Sequence, residues 1–153
     1  MSIRALIAAA AAVIAVLGCT TPSSRSVAPV SRPPGLGEAK VSAIEVCKPS
    51  GQRAYLDRLQ CTDGSIPAYR RVGSFGGRNE LPANLTKEQQ IAQLERNFSG
   101  AALKPGETDY HVIDGYEVSC GPVKRMIYMD MYHCNQAPPA EIPSGFQLRG
   151  PGK

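Results

Sequence analysis

The chain has 153 residues and a formal net charge of +4, with 15 Gly, 13 Pro, 5 Cys and no Trp. That length suits one well-cored domain rather than two, and the lack of a Gly-X-Y or sustained heptad pattern excludes collagen and coiled coil. The single long apolar run lies at the N-terminus, which excludes a multipass membrane protein.

In that first stretch, Arg4 precedes an apolar run of 13 residues from Ala5 to Leu17. A membrane span needs about 20 residues, so this is the layout of a secretory signal peptide. The run closes on Val16-Leu17-Gly18-Cys19, which resembles the lipobox of bacterial lipoproteins. The resemblance covers these 19 residues. It implies removal of residues 1–18 and attachment of acyl chains to Cys19, so that the mature protein is held to a membrane of the cell envelope. Several acyl chains, at about 0.8 kcal/mol per buried methylene, make such an anchor effectively permanent. Thr20 stands where an Asp would resemble an inner-membrane retention signal. The resemblance therefore implies the outer membrane in a host that has one.

Residues 19–40 hold four prolines and no periodic apolar pattern, the composition of a lipidated disordered tether. A globular domain is expected over 41–134, followed by a Pro/Gly-rich tail over 135–153. In that tail Ile142, Phe146 and Leu148 are candidates to pack back onto the domain. The domain holds eleven basic and eleven acidic residues, so the excess positive charge sits in the flexible ends. Nucleic-acid binders concentrate basic charge on a folded face, and this distribution argues against one.

Cys47, Cys61, Cys120 and Cys134 form an even set in a chain that reads as exported, which points to two disulfides. No C-x2-C spacing supports a zinc site made of cysteine. Cys47 to Cys61 and Cys120 to Cys134 share a separation of 14, and the two segments also match at Pro49/Pro122, Tyr55/Tyr128 and Asp57/Asp130. The matches read as two copies of a strand–turn–strand repeat. All three pairings respect the repeat, and pairing within each copy is favoured.

Within the second copy, alternation places Tyr128, Asp130, Tyr132 and Cys134 on one face and Ile127, Met129, Met131 and His133 on the other. A strand over 66–72 is expected to end at the Gly/Ser cluster 73–77. Asp114-Gly115 reads as a type I′ turn between Val112-Ile113 and Tyr116. One short helix is expected over about 87–98, with Thr86 and Gln89 as its capping box and Ile91, Leu94 and Phe98 as an apolar stripe lying on a sheet. The fold class is α+β, with a mostly antiparallel sheet.

Catalytic signatures are sparse: G-x-S-x-G, H-E-x-x-H and the P-loop are all missing from the sequence. Only His111 and His133 are available as histidine bases, and no cofactor motif is present. Tyr55, Asp57, Tyr128 and Asp130 are expected to pin loops by hydrogen bonds rather than to catalyse. Met129, Met131 and His133, with Met126 nearby, form the one metal candidate, a thioether and imidazole set suited to Cu(I). The sequence thus favours a non-catalytic envelope module that binds a protein or cell-wall partner. The alternatives are an envelope copper-binding protein and a hydrolase inhibitor.

Overall fold

From Ile44 onward, short apolar segments alternate with Gly, Pro and Asp-rich turns, and the computed structural model, which describes residues 32–150, resolves them into eight elements. In chain order these are β1 (Ile44–Glu45), α1 (Lys48–Leu56), β2 (Leu59–Cys61), β3 (Ala68–Gly77), α2 (Lys87–Ser99), β4 (Val112–Cys120), β5 (Val123–Asp130) and β6 (Phe146–Leu148). The signal peptide, the lipobox with Cys19 and most of the tether fall outside the described residues.

The four-stranded sheet has the order β1-β5-β4-β3, and β2 pairs with β6 in a second, two-stranded sheet. All pairs are antiparallel except β1 with β5. The class is α+β, with two helices where one was expected. β4 and β5 form a hairpin closed by Gly121-Pro122, and Gly121 sits at φ 57. A positive φ at the first turn residue suits the strand twist, and proline tolerates the second position.

One sheet face builds the core: Ile44, Tyr116, Val118, Ile127 and Met129 pack with Tyr55 and Leu56 of α1 and with Leu59. The register sets Ile44 beside Met129 and Glu45 beside Asp130, so the polar residues of those pairs point to the opposite face.

Several local expectations are corrected. The first cysteine copy is a helix followed by a strand, not strand–turn–strand. Its buried Gln52, Tyr55 and Leu56 follow helical spacing, and Pro49 fits the first turn, where a missing N–H costs nothing. The second copy starts at Cys120, the last residue of β4, turns at Gly121-Pro122 and continues as β5, where Ile127 and Met129 are buried at strand spacing. The disulfides consequently join the copies rather than closing each one: Cys47 bonds Cys134 and Cys61 bonds Cys120. Nine residues of helix separate Cys47 from β2, whereas the bridge across Cys47 and Tyr132 brings Cys47 beside Cys134.

Asp114-Gly115 is not a turn but lies inside β4, opposite Met129 and Tyr128. Gly115 suits that position because a Cβ would clash with the Phe75 ring, which lies over it. β3 does not stop at 72 but runs to Gly77 through two register shifts, so the glycine cluster bulges the edge strand instead of ending it.

The expected helix is α2, with the Thr86/Gln89 capping box formed and Gly100 as its left-handed C-cap. Its stripe does not lie on the sheet: Ile91, Leu94 and Phe98 are 48%, 44% and 60% exposed, and Asn97 is the buried residue. The Asn97 amide donates to the Tyr110 carbonyl at 2.9 Å, which satisfies that burial.

The domain also extends beyond 41–134. Leu36 packs on the core, and the Gly37 carbonyl accepts from the Tyr128 N–H. Ile142 and Phe146 pack back as anticipated, with Phe146 in β6, while Leu148 remains exposed.

Candidate functional site

Where β1 runs beside the end of β5, Glu45 and Asp130 on the face away from the core begin a polar cluster. Asp130 ends β5, and its Oδ1 accepts the Tyr132 N–H at 3.0 Å, which turns the chain out of the strand. That turn carries His133 round to the side of Asp130, so that Nε2 lies 3.1 Å from Asp130 Oδ2. Strict alternation had set these two residues on opposite faces, but the strand stops before His133.

From the segment leading into β4 come Asp109 and His111. Asp109 Oδ1 accepts the His111 backbone N–H at 2.9 Å, which fixes the carboxylate over its neighbour. His111 Nδ1 lies 3.0 Å from Asp109 and 3.5 Å from Asp130, and His133 Nε2 lies 3.2 Å from Asp109. The two imidazole rings stand edge to face with centroids 5.1 Å apart. His111 is also tilted against the Tyr132 ring, and Phe98 of α2 covers Tyr132 from outside.

Arg78, just after β3, reaches into the cluster and joins three carboxylates, at 3.0 Å to Glu45, 2.9 Å to Asp109 and 3.3 Å to Asp130. Asp130 is fully buried, and His111 and His133 are nearly so. Two buried nitrogens, Arg78 Nε and His111 Nδ1, have carboxylates close by but no hydrogen bond of acceptable angle.

Three carboxylates face one guanidinium, so the cluster needs two further positive charges for balance. In the protein alone the imidazoles supply them. Burial on its own lowers the pKa of each histidine, but the Asp109 and Asp130 carboxylates outweigh it and raise His111 and His133 to about 9. Burial likewise opposes ionisation of Asp109 and Asp130, yet the two imidazoles hold both carboxyls below the usual aspartate range.

The other residues singled out in the sequence fall elsewhere. Met129 is in the core with Ile44 and Tyr55, and Met131 packs against that core, so Met129, Met131 and His133 do not make one copper face. His133 instead turns to carboxylates. The repeated Tyr/Asp pairs also part company. Asp57 is exposed and accepts from the Tyr69 hydroxyl at 2.7 Å, while Asp130 is central to the buried cluster. The Tyr55 hydroxyl donates to the Glu141 carbonyl, and Tyr128 stacks edge-on against Phe75. No carboxylate dyad forms across the repeat.

Asp109, Arg78 and Glu45 were missed in the sequence, and His111 was weighed only as a base. The available signal was a pair of Asp/His doublets, Asp109-x-His111 and Asp130-x-x-His133, each beside a strand end. No family model, curated protein or solved structure matches this chain.

Proposed function

We propose that the protein is a lipid-anchored component of the bacterial envelope whose head is a non-catalytic binding module for a partner protein. The anchor is Cys19 of Val16-Leu17-Gly18-Cys19. The observation that carries the binding role is the outward apolar stripe of α2, Ile91, Leu94 and Phe98. An amphipathic helix in a small domain normally buries such a stripe, and one that faces water supplies apolar area to a second surface. Beside Phe98, a cleft of about 310 Å3 lined by Pro49, Met131 and Tyr132 extends the same surface.

Two disulfides and a buried ionic cluster support the rigidity that limits the entropy cost of binding. The cysteines and histidines support the non-catalytic reading: the four domain cysteines are oxidised, and both histidines are engaged below the surface. An aliphatic and aromatic stripe fits a protein surface better than it fits the polar backbone of a glycan.

A photo-crosslinking residue at Leu94 of the anchored protein tests this reading in intact cells. One discrete protein adduct is expected, lost when Ile91→Asp and Phe98→Asp are added and not formed from position 124 on β5. Identical adducts from positions 94 and 124, or no adduct from either, would overturn it.

A further inference from the structure

We propose that Asp109, His111, Asp130 and His133 bind one divalent first-row transition ion of the zinc type, as a closed structural site. This inference does not depend on the binding role of α2.

The ligand set is two imidazole nitrogens and two carboxylates, whose candidate donor atoms all lie within 4.8 Å of one another. Tetrahedral zinc with bonds of about 2.0–2.1 Å requires its ligand atoms to be about 3.3 Å apart. His133 Nε2 lies 3.1 Å from Asp130 Oδ2 and 3.2 Å from Asp109 Oδ2, and His111 Nδ1 lies 3.5 Å from Asp130 Oδ2 and 3.0 Å from the second Asp109 oxygen, Oδ1. These separations are near that length and no candidate pair exceeds 4.8 Å, so an ion of this size needs the four side chains only to draw inward around it.

A second observation is independent of those distances. His111 is 2% exposed, and its Nδ1 is buried without an in-line hydrogen-bond partner although two carboxylates are near. A buried ring nitrogen that lies close to two carboxylates and makes a hydrogen bond to neither is a group whose partner a bound cation would supply.

Charge and outer contacts agree. One dication with two neutral imidazoles balances Glu45, Asp109 and Asp130 against Arg78. Arg78 braces both ligating carboxylates, and Glu45 lies 3.7 Å from His133 Nδ1, the nitrogen left over when Nε2 ligates. Outer partners of this kind orient ligands and tune affinity.

Hard ions fit poorly, since calcium takes six to eight oxygens and magnesium retains several waters. Cu(I) favours thiolate or thioether, and Met129 is committed to the core. Four protein ligands under nearly complete burial leave no open coordination position, which is the pattern of structural rather than catalytic zinc. Such an ion would tie the segment entering β4 to the end of β5, one residue from Cys134.

The test uses untagged, disulfide-intact protein stripped with a chelator and titrated with zinc chloride against a chelating dye. One equivalent per chain is expected, together with a rise in Tm and shifts of the imidazole 15N resonances of both His111 and His133. His111→Gln and His133→Gln, each checked for folding by circular dichroism, should weaken binding by at least about 100-fold, beyond the usual loss for an outer partner. Met129→Leu should bind as the parent does. Less than half an equivalent bound by the parent protein would overturn the proposal. So would a full equivalent bound with neither histidine resonance moving, a readout that stands even where both variants fail to fold.

Discussion

Replacing Cys47 and Cys134 together by alanine removes the outer of two nested cross-links. The outer bridge spans 87 residues and the inner, Cys61 to Cys120, spans 59. Taken singly, closing such loops in the unfolded chain contributes about 4.6 and 4.3 kcal/mol on the chain-entropy model. Nesting lowers the outer value. With the inner bridge intact, the unfolded path between Cys47 and Cys134 is only the two flanking segments and the bridge, roughly 30 residues, so its contribution falls to about 3.6 kcal/mol. By the same reasoning the inner bridge contributes about 3.3 kcal/mol in the presence of the outer one, and removing both costs about 8 kcal/mol. Urea denaturation of the parent, the two double-alanine proteins and the four-alanine protein measures these values, with the slope reporting any change in the unfolded state. Alkylation without reductant accompanies it. Nested pairing leaves the Cys47→Ala, Cys134→Ala protein with no free thiol in the head. Two alkylated positions, Cys61 and Cys120, would refute the nested connectivity, and a stability loss below about 1 kcal/mol would refute the loop argument.

Three further outcomes follow from single positions. Asp114 is buried and accepts from Arg71, Gln52 and Ser74; burial raises its pKa, but these donors lower it overall. Its contribution is therefore complete above the ordinary aspartate range near pH 3.9 and is lost as the pH falls through its lowered folded value. Asp114→Asn should cost about 1–3 kcal/mol at pH 7 and flatten the acid limb of a Tm-against-pH curve; an unchanged acid limb would contradict the assignment. Gly115→Ala sets a methyl against the Phe75 ring and should cost about 1–3 kcal/mol by chemical denaturation. The loss should shrink in a Phe75→Ala background, and equal losses in both backgrounds would show that the ring is not the cause. Thr86→Ala removes the side-chain acceptor for the Gln89 N–H and should cost about 1 kcal/mol, read by hydrogen exchange along α2. Unchanged protection of α2 would contradict the capping role.

Local chemistry made α2 legible in the sequence. A capping box and a C-cap glycine act within a few residues, so Thr86, Gln89 and Gly100 mark the helix wherever it lies. Which face of α2 is buried depends on distant chain, and hydrophobicity misdirected that reading. Asn97 goes inward because the Tyr110 carbonyl needs a donor, and the apolar stripe is left outside.

The cysteine repeat misled in a similar way. Equal spacing suggested equal structure, but Gln52, Tyr55 and Leu56 are buried on a helical period while Ile127 and Met129 are buried on a strand period. Asp114-Gly115 carried a genuine local turn signal, yet both residues serve tertiary partners, Arg71 for one and Phe75 for the other. The ionic cluster was half visible. Its Asp/His doublets are short in sequence, but their meeting requires the β4–β5 register and a strand that ends at Asp130. The arrival of Arg78 depends on where β3 ends, which its bulges obscure.

The proposal of an anchored envelope module stands most directly on Cys19, and the mass of the mature N-terminus from protein made in a bacterial host tests it. The expected species begins at Cys19 with the preceding 18 residues removed and acyl groups attached. A chain that begins at any other residue, or at an unmodified Cys19, would contradict the account.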